Sequence, residues 1–282
     1  MRPQSGKSKK SVMIATTQRC GATWLASMME ETGSLGRPEE WLLPGTVLSW
    51  GIRHLIPTLK LRSIPACALY RTGIRSDREL YAVYLDAVNP RAMQKYLERL
   101  SRVEATPNGV FSAHLQWDQF EVLNQRWNGS VLDLADENLW LFLWREDQLE
   151  QAISWTRARA TNQWTSAQRS DTVVQYDGKE IRRRFLMTVE RNNQWVDFFE
   201  RHGITPFFLT YEQVQADPNH AIDEMLAWVG ETRSSVRVDQ QRNLQVQRST
   251  ETEEWIERFI EENPDLVDLR YRVAQAPETP PR

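Results

Sequence analysis

The sequence predicts an α/β protein: a single P-loop-like domain with a mostly parallel central sheet, flanked by helices and helical insertions. Three observations lead to this prediction. Strand-like and helix-like segments alternate along the 282 residues. The chain opens with a strand-forming run, a glycine-containing turn and an amphipathic segment, the first unit of such a fold. The most hydrophobic run, LWLFLW at residues 139–144, is typical of a strand covered on both faces.

Each element follows from its local pattern. Residues 11–17 (SVMIATT) predict the first strand, because β-branched and apolar residues dominate the run. Similar runs after turn signals predict further strands at residues 110–115, 139–144 and 206–210. Apolar residues at helical spacing predict helices at residues 22–32, 76–88, 90–103, 146–164, 179–202, 218–229 and 251–262. Gly33, Gly203 and Gly230 stand where three of these helices should end.

The remaining stretches are polar or rich in proline, and they predict loops. Residues 34–75 form the longest of these, with short helices expected inside it, and residues 167–178 and 231–250 follow. One domain is predicted over residues 11–264. Residues 1–10 are expected to be a disordered basic leader, and residues 265–282 a polar tail.

Composition excludes several classes of protein. With 35 Lys and Arg against 38 Asp and Glu, the chain lacks the strongly basic surface of a nucleic-acid-binding protein. Two cysteines make no disulfide framework, and the four histidines lack metal-ligand spacing, so no metal is expected. No apolar run approaches the ~20 residues that span a bilayer. A reducing cytoplasm is the expected compartment.

The turn at residues 17–23 (TQRCGAT) has the composition of an anion site. A helix N-terminus presents N–H groups and a positive dipole end, Gly21 allows close backbone approach, and Arg19 and Thr23 add donors. An ordinary turn is the equally weighted alternative. The turn is not a Walker A loop. The SGKS at residues 5–8 lacks the required glycine and a preceding strand, which disfavours a kinase or NTPase.

Two groups of charged residues that follow this turn in the sequence are further candidates for the site. Glu39 and Glu40 lie adjacent in GRPEEWL, where solvated carboxylates are the ordinary reading and a general base is the functional one. Arg145 follows the central strand, which is where open α/β sheets bind ligands. A surface ion pair of Arg145 with Glu146 or Asp147 is the stronger local alternative.

The segment SWTRARATNQW at residues 154–164 mixes aromatic and guanidinium groups, which suit stacking on a sugar or binding an anion. A solvated helix face is the competing interpretation and is locally favoured. The chain contains 12 tryptophans, which indicate either core packing or a pocket with aromatic walls. His114 lies on a predicted strand, where a lone histidine is more often structural than catalytic.

Taken in order, these segments resemble the PAPS-dependent sulfotransferases of the bacterial trehalose sulfotransferase type. The resemblance rests on five segments between residue 11 and about residue 260: TQRCGAT, GRPEEWL, TPNGVFSAHLQWDQ, REDQLEQAISWTRARATNQW and RSTETEEWIERF. Each motif is weak alone, but the ordered set is specific. The resemblance implies transfer of a sulfuryl group from 3′-phosphoadenosine-5′-phosphosulfate (PAPS) to a hydroxyl of a carbohydrate or small molecule, leaving the bisphosphate PAP, without a metal.

The resemblance also implies roles for individual residues. Glu40 would be the general base on the acceptor hydroxyl, with His114 and Arg19 as the other catalytic residues. The donor would be bound by residues of the first turn and of later segments: Gln18, Arg19, Cys20, Gly21, Ala22, Thr23, Trp24, Arg145, Ser154 and Arg248. The acceptor would contact Glu39, Trp41, Trp155 and Arg157. A homodimer is a further expectation.

This chain departs from the family pattern at three places. Cys20 and Ala22 replace two loop serines, and His114 stands where related sequences tend to carry lysine. A protonated His114 could donate to the bridging oxygen and would make the rate sensitive to pH. Residues 45–105 do not align and are expected to form an insertion at the acceptor site. A non-catalytic nucleotide or sulfate-ester binding protein on the same fold is the alternative.

Overall fold

The structure, a computed structural model, describes residues 8–54, 56, 90–121, 134–164, 172–232 and 250–273. Within them a four-stranded sheet has the order β2-β1-β3-β4, and each neighbouring pair is parallel. The strands are β1 (Ser8–Thr16), β2 (Val110–Gln116), β3 (Ala135–Trp144) and β4 (Phe207–Thr210). The two inner strands, β1 and β3, include the run that the sequence predicts to be central. The predicted α/β fold with a parallel sheet is therefore confirmed.

Helices connect and cover these strands. They are α1 (Ala22–Thr32), α2 (Pro44–Arg53), α3 (Pro90–Val103), α4 (Gln148–Thr161), α5 (Gly178–His202), α6 (Tyr211–Ala216), α7 (Pro218–Val229) and α8 (Thr250–Glu262). Gly33, Gly203 and Gly230 adopt left-handed backbone conformations at the ends of α1, α5 and α7, as the sequence predicts. The helix predicted at residues 76–88 lies outside the described residues.

Two boundaries differ from prediction. β1 begins at Ser8, because the N–H groups of Lys9 and Lys10 donate to the carbonyl of Gly109 and extend the sheet into the expected leader. The expected polar tail begins with a 3₁₀ helix over Pro264–Leu269, whose Leu266 is buried. Arg270, just beyond it, forms an ion pair with Asp147 at 2.5 Å. This contact and the burial of Leu266 explain why the segment packs against the domain.

The sheet carries a hydrophobic core on each face, because alternate side chains of a strand point to opposite faces. Met13 and Ala15 of β1 contribute to one core, together with residues of α2, α3 and α5. Val12 and Ile14 contribute to the other, together with residues of α1 and α7. The structure is thus a three-layer α/β sandwich, and the ends of its strands are the places left for a polar site.

A third core joins α4, α5 and α8 beside the sheet. α5 is shared between this core and the first, with Phe185 in one and Trp195 in the other. The Trp195 indole N–H donates to the carbonyl of Thr16 at 2.9 Å. α5 therefore fixes the end of β1, from which the candidate site starts. In the described part of the chain, no helix is both long enough and apolar enough to cross a membrane.

Candidate active site

The carboxyl ends of all four parallel strands meet at one edge of the sheet. β2 lies on one side of β1, whereas β3 and β4 lie on the other, so the direction of the connections reverses between β1 and β3. Open α/β sheets bind ligands in the crevice at such a reversal. The segments that leave β1 and β3 here carry Arg19 and Arg145, two of the residues expected to bind the donor.

The turn between β1 and α1 is held in an unusual backbone conformation. Arg19 has φ of 68° and Gly21 has φ of 92°, both in the left-handed region. A Cβ atom on Gly21 would lie 2.6 Å from the ring of Tyr211, so glycine is needed both for conformation and for space. Gly21 is the N-cap of α1, and no side chain caps this helix. The first turn of α1 therefore offers backbone N–H groups and a positive dipole end to an anion.

Arg19 links this turn to α4. Its Nε donates to Ser154 Oγ at 3.2 Å, and its Nη1 donates to the carbonyl of Trp164. Burial is the main cause that lowers the pKa of the Arg19 guanidinium, and the positive charge of Arg145 lowers it further. Two cations held close together in a partly buried place favour an anion between or beside them. The structure thus brings together Arg19, Arg145 and Ser154, three residues that the resemblance assigns to donor binding.

Arg145 has ion-pair partners that the sequence reading did not identify. Its Nη2 lies 2.6 Å from Glu150 and its Nε lies 3.8 Å from Glu212, while its guanidinium covers the ring of Tyr211 at 4.7 Å. The expected alternative pairing with Glu146 or Asp147 is wrong. The reason is that α4 begins at Gln148 and its first turn brings Glu150 back toward Arg145, while Asp147 caps α4.

Glu40 is positioned by a short backbone pairing. Glu39 forms a parallel bridge with Ala113 at the free edge of β2, and the N–H of His114 donates to the Glu39 carbonyl at 3.2 Å. This pairing sets the Glu40 carboxylate beside the imidazole of His114, with 3.2 Å between Oε1 and Nε2. Gln119 Nε2 donates to the other carboxylate oxygen at 3.0 Å.

The environment of Glu40 keeps it ionised. Burial opposes the charged form, but the neighbouring imidazole of His114 and the amides of Gln119 and Gln116 together hold the pKa of Glu40 below its ordinary value. The Glu40 side chain is 31% exposed, whereas the His114 side chain is 6% exposed. Glu40 is therefore a reachable carboxylate that carries its charge at neutral pH, which a proton acceptor requires.

A hydrogen-bonded triad connects the Arg19 turn with the Glu40 surroundings. Gln18 Nε2 donates to Asp118 at 2.9 Å, and Arg191 Nη1 donates to Gln18 Oε1 at 2.7 Å. Arg191 also forms an ion pair with Asp118 at 3.2 Å. Since Asp118 lies on the segment that supplies Gln116 and Gln119, the triad fixes the two halves of the site relative to each other.

The other turn residues have different accessibility. Thr23 is exposed and Trp24 is half-buried, with its ring 6.0 Å from that of Tyr211. Cys20 and Ala22 are buried and face the second core. Any contribution of Cys20 and Ala22 to anion binding therefore comes from their backbone.

We expect Cys20 to resist alkylation in the folded protein. Burial raises the pKa of its thiol to about 11, and backbone hydrogen bonds offset this only partly. At neutral pH the thiolate fraction is then about one part in 10⁴. Mass spectrometry of a Cys67→Ser variant treated with iodoacetamide will test this, since Cys20 is then the only cysteine. Equal labelling with and without guanidinium would contradict it.

Three residues expected at the acceptor lie in packed or ion-paired positions. Trp41 is 4% exposed, and its indole N–H donates to the carbonyl of Ser112 at 3.0 Å. Trp155 is 2% exposed and packs against two guanidinium groups of α5. Arg157 pairs with Glu251 at 3.0 Å and covers the ring of Trp255 at 4.4 Å, which joins α4 to α8. Packing or pairing thus occupies the group that each would offer to a substrate.

Of the other expected site residues, Glu39 lies at the edge of the site and Arg248 lies outside the described residues. Glu39 is half-exposed at the edge of the Glu40 segment, and its carboxylate pairs with Arg37 at 3.1 Å. Most of residues 45–105, the expected acceptor insertion, lies outside the described residues as well. The part that is described includes α2 and α3, which pack on the first core.

Sequence reasoning missed several residues at this edge: Gln116, Asp118, Gln119, Tyr211 and Arg191. Four of them end or directly follow a strand that the sequence predicts, so the rule that ligands bind at the carboxyl edge of a parallel sheet could have found them. Arg191 lies in the middle of α5 and carries no such signal. In the described residues, no group of three His, Cys, Asp or Glu side chains could hold a metal ion.

The fold and this edge define an α/β protein with a candidate anion site beside an ionised carboxylate, and comparison with known proteins supplies the family. Residues 11–262 match the family described as Stf0 sulphotransferase, and the chain belongs to this family. The resemblance inferred from the five ordered motifs is confirmed.

Two curated relatives are similar along nearly their whole length. Trehalose 2-sulfotransferase of Mycobacterium tuberculosis (strain ATCC 35801 / TMC 107 / Erdman) is 23% identical over 276 residues, covering 90% of this chain and 96% of the relative. Trehalose 2-sulfotransferase of Mycolicibacterium smegmatis (strain ATCC 700084 / mc(2)155) is 24% identical over 269 residues, covering 88% and 93%.

Among solved structures, the sulfotransferase domain from the curacin biosynthetic pathway matches with a TM-score of 0.48 at 12% identity, covering 89% of this chain and 83% of that one. A sulfotransferase from Alicyclobacillus acidocaldarius matches with a TM-score of 0.41 at 14% identity, covering 93% and 95%.

Proposed function

We propose that this protein transfers the sulfuryl group of PAPS to a hydroxyl of a carbohydrate or small-molecule acceptor, with Glu40 as the general base. One observation carries the proposal. A half-exposed, ionised carboxylate, that of Glu40, is contacted by His114 and Gln119, whose segment a 2.9 Å hydrogen bond from Gln18 to Asp118 ties to the uncapped turn before α1. An anion site and a proton acceptor are thus held together at one edge of the sheet.

The residues of the turn fit the anionic groups of the donor. The uncapped N-terminus of α1 suits a phosphosulfate, since its backbone N–H groups need no help from the serines that Cys20 and Ala22 replace. Arg19, Arg145 and Ser154 suit a second phosphate, because the two arginines lie close together and Ser154 accepts from Arg19. A phosphate at Arg145 would take the place of the Glu150 carboxylate.

The proposed reaction uses the site residues to position and to stabilise charge. The acceptor hydroxyl gives its proton to Glu40 as its oxygen bonds to sulfur. The sulfur–oxygen bond to the 5′-phosphate breaks, and the electron pair leaves with PAP. Arg19 and the N–H groups of α1 are suited to stabilising the charge that develops on the transferring group and on the leaving phosphate. Holding both reactants at fixed positions supplies the rest of the acceleration.

The nature of the acceptor rests on the relatives. Both are named trehalose 2-sulfotransferases, which supports a carbohydrate acceptor here. Trp41 and Trp155, two residues first expected to contact it, are buried, so the acceptor must be recognised by other groups near Glu40. Formation of a homodimer stays a prediction.

We expect PAP to bind in isothermal titration calorimetry and PAPS to support transfer to trehalose or another sugar, detected as a mass gain of one sulfuryl group. The same assay with a metabolite extract will identify acceptors other than trehalose. Tight binding of PAP without transfer to any acceptor would favour the alternative, a non-catalytic nucleotide or sulfate-ester binding protein. Absence of both binding and transfer would contradict the proposal.

A further inference from the structure

Three side chains from one short segment surround the carboxylate of Glu40. They are His114 and Gln116 at the end of β2 and Gln119 in the helical turn that follows it. Gln119 donates to Oε2 at 3.0 Å and His114 Nε2 lies 3.2 Å from Oε1, while Gln116 helps to hold the pKa of the carboxyl below its ordinary value. These three residues are only 5–8% exposed, which excludes competing water from their N–H groups.

The other ends of these side chains show what the segment is used for. The Oε1 atoms of Gln116 and Gln119 and the Nδ1 atom of His114 are buried without a hydrogen-bond partner among the described residues. Leaving buried polar atoms unpaired is unfavourable. The Gln119 amide leaves its oxygen unpaired and donates to Glu40, so this position uses the side chain for its N–H group.

The number of donors limits the ways in which Glu40 can face a substrate. A carboxylate has two oxygens and about four lone-pair sites. Gln119 takes a site on Oε2 and His114 Nε2 lies beside Oε1, so the segment restricts both oxygens and leaves the solvent-facing side of the carboxylate open. The 3.2 Å contact of His114 is poorly aligned for a hydrogen bond, so the amide of Gln119 supplies the firmest constraint.

We propose that Gln119, together with His114 and Gln116, is a positioning residue that fixes the Glu40 carboxylate in one orientation and leaves its solvent-facing side for the acceptor hydroxyl. The proposal rests on the proposed function of Glu40 as the base. It gives His114 a different role from that of a donor to the bridging oxygen, because the imidazole is nearly fully buried and faces Glu40. His114 then acts through Glu40 and does not touch the leaving group.

The pKa of Glu40 should respond mainly to its contacts with His114, Gln116 and Gln119, because the nearby charged side chains have other partners. Glu39, its neighbour in the chain, pairs with Arg37 at 3.1 Å. Asp118, between the two glutamines, is occupied by Gln18 and by Arg191. The neighbouring imidazole of His114 and the two amides are the main groups that hold the pKa of Glu40 below its ordinary value. Removing one amide should therefore change the pKa of Glu40 without changing any other ion pair.

The test compares Gln119→Leu with Gln94→Leu. Gln94 is the matched control, since its amide also donates to a carboxylate, that of Glu98, at 3.1 Å on the exposed face of α3. For Gln119→Leu we expect kcat/KM to fall on the order of tenfold to a hundredfold. The acid limb of the pH profile of kcat/KM should move to higher pH by about one unit, because the charged form of Glu40 loses a hydrogen-bond donor. For Gln94→Leu we expect no change in kcat/KM or in its pH profile.

A second pair of variants keeps the test independent of folding at position 119. His114→Gln retains an N–H donor and His114→Leu does not, so the first should preserve most of kcat/KM and the second should not. A readout besides activity is the ¹³C chemical shift of the Glu40 carboxyl carbon as a function of pH, assigned with Glu40→Gln. We expect its midpoint to rise in Gln119→Leu and in His114→Leu.

The possible results separate this inference from the proposed function. An unchanged Glu40 midpoint and an unchanged pH profile in Gln119→Leu would overturn the inference. Shifted midpoints combined with normal turnover by Glu40→Gln would uphold the hydrogen-bonded positioning but remove Glu40 as the base, which overturns the proposed function. Shifted midpoints together with a displaced acid limb would support both.

Discussion

Replacement of Glu40 by glutamine is expected to lower kcat by a factor of about 10²–10⁴, the usual contribution of a general base. Glutamine has nearly the same shape, but its amide nitrogen cannot accept a proton. It also turns an N–H group toward the donors of Gln119 and His114, which now face a carboxylate at 3.0 and 3.2 Å. The affinity for PAP should stay within about twofold, because the donor residues lie on the turn before α1 and on α4.

The measurement pairs steady-state kinetics with calorimetric titration of PAP, so that chemistry and donor binding are separated. Glu30→Gln is the matched control: Glu30 lies on α1, is exposed, and forms an ion pair with Arg37 at 3.1 Å. Exposed pairs of this kind contribute little, so kinetics and binding should be unchanged. If Glu40→Gln keeps more than a tenth of the normal kcat, another group accepts the proton, and the general-base role is wrong.

The elements of this fold could be predicted because each carries a local signal. The central run at residues 139–144 is too hydrophobic for any place but the middle of the sheet, and the glycines at 33, 203 and 230 end their helices as left-handed C-caps. Alternating strands and helices then leave a parallel sheet as the favoured arrangement. Boundaries were predicted less well, because the start of β1 is set by the N–H groups of Lys9 and Lys10, which donate to the carbonyl of Gly109, a contact distant in sequence.

The polar anchors of the site could be predicted in part. The Arg19 turn follows a predicted strand, and Glu40 belongs to a recognisable motif, so sequence order was enough to single out both. The pairing of Arg145 with Glu150 and Glu212 could not be found in this way. It depends on how α4 turns back and on the closeness of β3 and β4, neither of which leaves a local pattern.

Two tryptophans show why burial could not be predicted from the sequence. An indole next to charged residues has the same sequence signature whether it packs inside or faces a ligand. α4 is buried on most of its surface, so helical spacing could not show that Trp155 points inward. Trp41 is drawn into the core by the bridge between Glu39 and Ala113, which is a long-range pairing. In both cases tertiary packing decides the outcome.

The second large effect concerns Gly36, which we expect to be intolerant even of alanine. Its φ is +85°, and a Cβ atom there would lie 2.7 Å from the Ser112 Cβ and 2.9 Å from the Ser112 backbone nitrogen. The Ser112 hydroxyl already donates to the carbonyl of Leu35, so the side chain has no free direction in which to move. Gly36→Ala should destabilise the fold by about 2–4 kcal/mol, the sum of a strained backbone and an overpacked contact.

The same substitution should also reduce activity, because Gly36 lies three residues before the bridge that positions Glu40 beside His114. Pushing this segment off β2 would move the base, and we expect kcat/KM to fall on the order of a hundredfold. Urea unfolding and steady-state kinetics measure the two effects. Gly33→Ala is the control: its φ is +65° but nothing lies within 4 Å of an added Cβ. It should cost only about 1–2 kcal/mol of backbone strain and leave kcat/KM unchanged.

A double variant separates backbone crowding from side-chain crowding at this contact. Ser112→Gly removes the Cβ and hydroxyl that an alanine at position 36 would strike, but it leaves the backbone nitrogen at 2.9 Å from the new methyl group. Gly36→Ala combined with Ser112→Gly should therefore recover only part of the lost stability and activity, with a coupling energy of about 1–2 kcal/mol. Full recovery would mean that side-chain crowding alone requires glycine. No recovery would mean that the positive φ at Gly36 and the contact with the Ser112 backbone nitrogen alone require glycine.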